Sequence, residues 1–335
     1  MSTYDVALAD GQGYFAHRVA ELCGEHNLSF FLIEPVWARD FLEKLLKGDV
    51  SCGMLIDMAS DPYDRSDIYY RIAREAKASG AHVVDDPDAS PIAAHKGKFH
   101  RVLAEHGVAT PDTVLLRRED LPHFRVDDAL RHRIGSPFVA KPGWGSGRQG
   151  VVLDAATEAD VLRSAAASPR SDVTLLQRRI VPRVIDGRPA WFRIYYACGE
   201  IIPCWWHPET GDYRMVSPLE RRMHGLVAAE GMVHKIGALS GMEFFSTEIA
   251  LTAEQGFLAI DYLNDECDMH PKSYHASGPP DEVVRRIAQV MVQRAIGVVH
   301  KHPFAEELND RDRFWQEQRL LRLHRESLPA QAIVA

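Results

Sequence analysis

The sequence has few cysteines, and none in a pairing or metal-binding pattern. Cys23, Cys52, Cys198, Cys204 and Cys267 form no CxxC or CxxH motif. A zinc ribbon and a disulfide scaffold are therefore excluded, and the thiols are expected to be free in a reducing compartment, the cytoplasm. No apolar run approaches the roughly 20 residues of a membrane span. The opening MSTYDVALAD lacks a basic signal-peptide start. Positive charge is not in surplus: the net charge of -8 argues against a nucleic-acid surface. Repeats and low-complexity tracts are missing. The 16 histidines include no HExxH, and His95, His100, His300 and His302 lack the partners of a zinc site. What remains is an ordinary globular balance, 46% hydrophobic and 26% charged over 335 residues, enough for roughly two domains.

The first part of the chain alternates strand and helix. Strands are expected over 4–9, 29–33, 52–58 and 82–84, and helices over 14–25, 37–46 and 68–78. That alternation implies a parallel sheet with right-handed crossovers. Gly11, Gly13 and Ala16 after the first strand fit a dinucleotide pattern, with Glu34 about where a ribose-binding acid would stand. An NAD(P)-dependent oxidoreductase is thus one reading of this part, and a plain βα turn is the other.

A boundary falls at 87–91, PDASP. A helix is expected over 93–105, carrying Lys96 and Lys98 and closed by Gly107. Strands follow at 114–116 and 137–140, the second ending in Lys141. The loop 142–150, PGWGSGRQG, leads into a strand at 151–153. Its glycine-rich backbone can close N–H groups over phosphates, with Lys141 beneath. It is not a Walker A loop, because no Lys-Ser/Thr follows the glycines. A strand follows where a dinucleotide fold needs a helix, and no kinase HRD or DFG is present. A glycine hairpin without a ligand is the alternative.

The late segment 257–269 reads FLAIDYLNDECDM. An apolar strand ends in Asp261, with Asn264 and Asp265 close behind. Upstream, Glu248 lies in another apolar strand, and the turn Ala253-Glu254-Gln255-Gly256 joins the two. Glu248 and Asp261 can then face each other, an arrangement that is costly without a cation between them. Oxygen donors of this kind suit Mg²⁺. Elsewhere, 204–207 is an aromatic patch, 215–231 a long polar connection with Glu220, Arg221, Arg222 and His224, 281–300 an amphipathic helix, and 311–327 a charged terminal helix.

The order of these features resembles the ATP-grasp superfamily of carboxylate–amine ligases. A lysine-bearing helix ends in GVATPDT. A lysine strand with its glycine loop follows, then the strand 173–177, the Arg193 strand and the acidic cluster. The resemblance implies an α/β fold: a Rossmann-like pre-ATP-grasp domain over 1–91, a small lobe over 92–180 and a large lobe over 181–335, both lobes α+β and gripping the nucleotide. It implies that Lys96 and Lys141 meet the α- and β-phosphates, although His95 stands where the motif has aspartate. Gly145, Ser146 and Gly147 would cover the phosphates. Gln177, Arg179 and Ile180 would meet adenine, and Asp186 ribose. Arg193 would face the transferring phosphate or the acyl phosphate. Glu248, Asp261 and Asn264 would hold Mg²⁺ or Mn²⁺, with Asp265 as the substitute for Asn264, since the spacing from Asp261 is one residue longer than the motif. Ser246 takes a position where an arginine is usual.

The activity implied is ATP-dependent activation of a carboxylate as an acyl phosphate and its joining to an amine. The partners would be small molecules, amino acids among them, and a homodimer is expected. The alternatives are a kinase that stops at phosphate transfer, and a nucleotide-binding regulator with a degenerate site.

Overall fold

The computed structural model describes residues 2–9, 13–145, 147–207, 209–211 and 213–300. Gly11, Ser146 and the expected helix at 311–327 lie outside these residues.

Four apolar runs in the N-terminal part pair as a parallel sheet. Its order is Phe30–Leu32, Ser2–Ala9, Val50–Asp57 and His82–Val84. Both faces are covered. Gly13–Glu25 lies on one side and Pro35–Lys47 with Ile68–Ala78 on the other, which explains the near-continuous apolar strands. Asp67 caps the last of these helices, its carboxylate accepting from the N–H groups of Tyr69 and Tyr70. Glu34 is exposed at the start of Pro35–Lys47 and caps it with no side-chain bond.

A four-stranded antiparallel sheet follows, ordered Thr113–Arg117, Val173–Arg178, Phe138–Pro142, Val152–Ala155. Phe138, Ile134, Val161 and Leu176 form its core with the helices Asp128–Ile134 and Glu158–Ala167. The third sheet has five antiparallel strands: Tyr213–Met215, Glu200–Trp206, Trp191–Ala197, Phe244–Thr252 and Gly256–Asn264. Along Trp191–Ala197 the side chains alternate. Phe192, Ile194 and Tyr196 pack towards the helix Val227–Ser240, while Tyr195 and Ala197 join a core shared with Asp281–His300 and the N-terminal sheet. No helix among the described residues is long and apolar enough to cross a membrane.

Two expectations are corrected. The helix expected over 93–105 is broken: Ser90–Ala93 ends, and Lys96–Glu105 starts afresh with His95 as its N-cap. The polar connection expected over 215–231 holds a helix, Pro218–Met223, and the start of Val227–Ser240. Ser217 and Glu220 form a capping box there, with proline in the first turn. Part of its charge is paired internally. Arg214 pairs with Glu220, and Arg221 pairs with the buried Glu230.

Candidate functional site

Three neighbouring strands bring the charged residues into one row. Arg193 stands opposite Glu248, and Glu248 opposite Asp261. Cross-strand partners share a face of a sheet, so all three point the same way. The next row reads Tyr195, Ser246, Asn264. Between these rows Phe244–Thr252 advances from Ser246 to Glu248, whereas Gly256–Asn264 advances from Asp261 to Asn264, a β-bulge of one residue. The bulge restores parity, so Asn264 shares the face of Asp261 despite the longer spacing.

The partners of the two acids differ. Glu248 is bound by Arg193 and lies 3.3 Å from Trp191 Nε1. Oδ1 of Asp261 is buried and has no hydrogen-bond partner. Lys96 Nζ lies 4.0 Å away. Burial raises the Asp261 pKa, but Lys96, Lys141 and Arg193 more than offset that and hold the group ionised below its ordinary range. Asp265 has the opposite balance: burial and Glu266 push it up to about 6. The Asn264 amide nitrogen faces the Glu266 carbonyl at 3.3 Å and Ser246 Oγ at 3.5 Å, which fixes how the side chain is turned.

The lysines arrive from the small antiparallel sheet and its helix. Lys141 is 6% exposed. Its Nζ donates to the Ile260 carbonyl at 2.8 Å and sits 5.1 Å from the Tyr262 ring. Burial lowers its pKa, and Asp261 opposes that shift. Lys96 Nζ donates to the Gly145 carbonyl at 2.9 Å, so the glycine loop folds back over the row. Gly145, Gly147 and Gly150 all have positive φ, which favours glycine at these positions. A cleft of about 320 Å³ is lined by Lys96, Gly145, Asn264, Asp265 and Tyr63.

The remaining expected residues are placed less closely. Gln177 is buried, and its amide donates to Thr113 Oγ1 and Tyr262 OH at 3.2 and 2.8 Å. Arg179 pairs with Asp154 at 2.7 Å in an exposed position, beside Ile180. Asp186 is exposed at the turn of the ribbon Val184–Ile185 and Arg188–Pro189.

Sequence reasoning missed Tyr262. Its hydroxyl receives Gln177 and meets His100 Nδ1 at 2.8 Å, so it ties the small sheet and its helix to the strand bearing Asp261. The signal was a tyrosine beside an acid in an apolar run. It also missed Arg148, whose charge acts on Asp261.

His100 gives this junction a pH dependence. Burial first, then Lys141, Arg133 and Arg101, lower its pKa to about 4 from the ordinary 6.5. The unfolded chain then binds more protons between those values, so stability is full above pH 6.5 and falls as pH drops towards 4. On the order of 3 kcal/mol is lost across that window. Urea melts at pH 7, 5.5 and 4.5 measure it, and His100→Gln should flatten the dependence. An equal slope in both proteins would refute it.

The residues present fit a hard cation. Glu248, Asp261 and Asn264 offer oxygen, and Asp261 Oδ1 accepts no hydrogen bond. Among the described residues no group of three or more His, Cys, Asp and Glu could hold a metal unaided. The amide of Asn264 and phosphate oxygens would have to complete the coordination.

No family model matches this sequence. No curated protein matches it either. Solved structures do match. D-alanine–D-alanine ligase from Bacillus anthracis complexed with ATP superposes with a TM-score of 0.61 at 11% identity, covering 90% of this chain and 99% of that one. The ATP-grasp ligase PsnB complexed with precursor peptide PsnA2 and AMPPNP gives 0.60 at 10% identity, covering 88% and 99%. PsnB with minimal precursor, Mg and ADP gives 0.61 at 10%, covering 87% and 98%. At these identities the likeness concerns the fold, and it spans nearly the whole of each partner.

Proposed function

We propose that this chain, which has the ATP-grasp ligase fold, is an ATP-dependent ligase joining a carboxylate to an amine. The observation that carries the reading is the row Arg193, Glu248, Asp261 with an Asp261 oxygen that accepts no hydrogen bond, faced by Lys96 and Lys141. Similar structures complexed with ATP, or with Mg and ADP, support a nucleotide as the ligand of this fold.

A carboxylate is a poor electrophile, and phosphorylating it by ATP creates an acyl phosphate that an amine can attack. Phosphoryl transfer needs alignment and neutralisation of spreading negative charge. Lys96 and Lys141 supply positive charge to the α- and β-phosphates, and Arg193 to the transferring group. Gly145 and Gly147 cover the phosphates and limit water. The backbone at Gln177 to Ile180 meets the adenine edge. Glu248, Asp261 and Asn264 would hold Mg²⁺, which would neutralise phosphate charge when bound. Donor and acceptor are small molecules or peptides.

A phosphate-release screen over pairs of carboxylates and amines with Mg·ATP tests this reading, with mass spectrometry for the amide. Amide formed with ADP and phosphate supports it. A stable phosphorylated product without amide would make the protein a kinase, and tight Mg·ATP binding without turnover for any pair a regulator.

A further inference from the structure

His95 departs from the ATP-grasp motif, which has aspartate there. Its side chain is fully buried, 0% exposed. Nδ1 accepts the backbone N–H groups of Gly97 and Lys98 at 3.1 and 3.2 Å, capping the helix Lys96–Glu105. Nε2 lies 2.7 Å from Asp172 Oδ1. A nitrogen that accepts two N–H groups cannot carry a proton, so the proton is on Nε2 and is donated to Asp172. An aspartate at position 95 would instead face Asp172 as a second negative charge. Burial lowers the His95 pKa and Lys98 adds to that, against the pull of Asp172.

The same ring touches the glycine loop. It lies 4.6 Å from the Trp144 ring. The neighbouring Lys96 donates its N–H to the Gly143 carbonyl at 2.9 Å, and its Nζ reaches the Gly145 carbonyl. The space is filled. A Cβ on Gly143 would stand 3.0 Å from His95 Cε1 and 2.5 Å from Val173 Cγ1, and one on Gly97 would meet the same two atoms at 3.3 and 2.5 Å. Lysine, loop and cap are therefore joined through one imidazole.

We propose that His95 is a positioning residue: locked by Asp172 as the Nε2–H tautomer, it sets Lys96 and the glycine loop as one unit against the triphosphate. The geometry stands alone, while its consequence rests on the nucleotide reading above.

The test uses the full chain with His95→Ala, His95→Asp and Asp172→Asn. Steady-state phosphate release gives KM for Mg·ATP and kcat. Hydrogen exchange without ligand follows the Gly97 and Lys98 amides, and two-bond ¹H–¹⁵N spectra show which ring nitrogen is protonated. His95→Ala should raise KM for Mg·ATP roughly tenfold with a smaller change in kcat. His95→Asp should restore slow exchange, because the cap acceptor returns, yet recover only part of KM. Asp172 is exposed, 66% of its side chain being open to solvent, so Asp172→Asn does not threaten the fold and carries the test if His95→Ala fails to fold. It should raise KM in the same sense, by less. Unchanged KM in Asp172→Asn, or a proton on Nδ1, overturns the proposal. A wild-type chain that binds no Mg·ATP overturns the nucleotide reading and this consequence with it. Mg·ATP binding together with an Nδ1–H ring overturns the role of His95 alone.

Discussion

Asp261→Asn is expected to lower ATP turnover at least ~100-fold, equivalent to about 2.7 kcal/mol of transition-state stabilisation. The substitution keeps size and one carbonyl oxygen but removes the charge. That charge is the feature the surroundings are arranged to preserve, since Lys96, Lys141 and Arg193 hold Asp261 ionised against burial. Its Oδ1 has no hydrogen bond to lose, so the ligand-free protein forfeits only electrostatics with those cations. Glu248→Gln should cost a similar factor in turnover but more in stability. Glu248 is the partner of Arg193 and neighbours Trp191 Nε1, and neutralising one member of a partly buried pair leaves the other undercompensated. Phosphate release and thermal melts on both variants separate these effects. Wild-type turnover in both would remove the metal site from the account.

Much of this row was legible before any coordinates. The turn Ala253 to Gly256 sets the hairpin register as far as Ile249 opposite Ala259, which brings the two acids near each other; a register shift between Ile249 and Glu248 then puts Glu248 opposite Asp261, where the turn alone would put Ile260. The parallel strands were legible because each is an unbroken apolar run between turn residues; the helix Ile68–Ala78 and the strand His82–Val84 fall where the pattern puts them. The bulge was not legible. It is a backbone event without a compositional signature, so the spacing of Asn264 looked like a defect and is compensated by geometry. The break before Lys96 was hidden because histidine is not a usual cap, and only burial next to Asp172 makes it one. Ser217, Pro218 and Glu220 spell the start of Pro218–Met223, a signal masked by the polar composition of 215–231. The side chain of Gln177 points to Tyr262, a long-range contact that no local pattern encodes.

Lys141→Met should abolish most of the stabilisation that Mg·ATP gives the protein. Met matches the length and much of the volume of Lys and carries no charge, so the change tests the cation with little repacking. Burial already disfavours the Lys141 ammonium in the ligand-free protein, and Asp261 is the charge that retains it. A triphosphate would supply further negative charge at a site where screening by water is weak. Loss of the cation is expected to weaken Mg·ATP binding about 100-fold. At a ligand concentration 100 times the wild-type Kd, linkage gives the wild type about 2.7 kcal/mol of added stability and the variant about 0.4 kcal/mol. A Tm rise of several degrees would shrink to about one. Lys77→Met is the control, because Lys77 pairs with Asp86 and Asp88 on the surface of the N-terminal part, and it should keep the full shift. An undiminished shift in Lys141→Met would mean that the lysine strand and the acidic row do not grip a common triphosphate, and the ligase reading would lose its foundation.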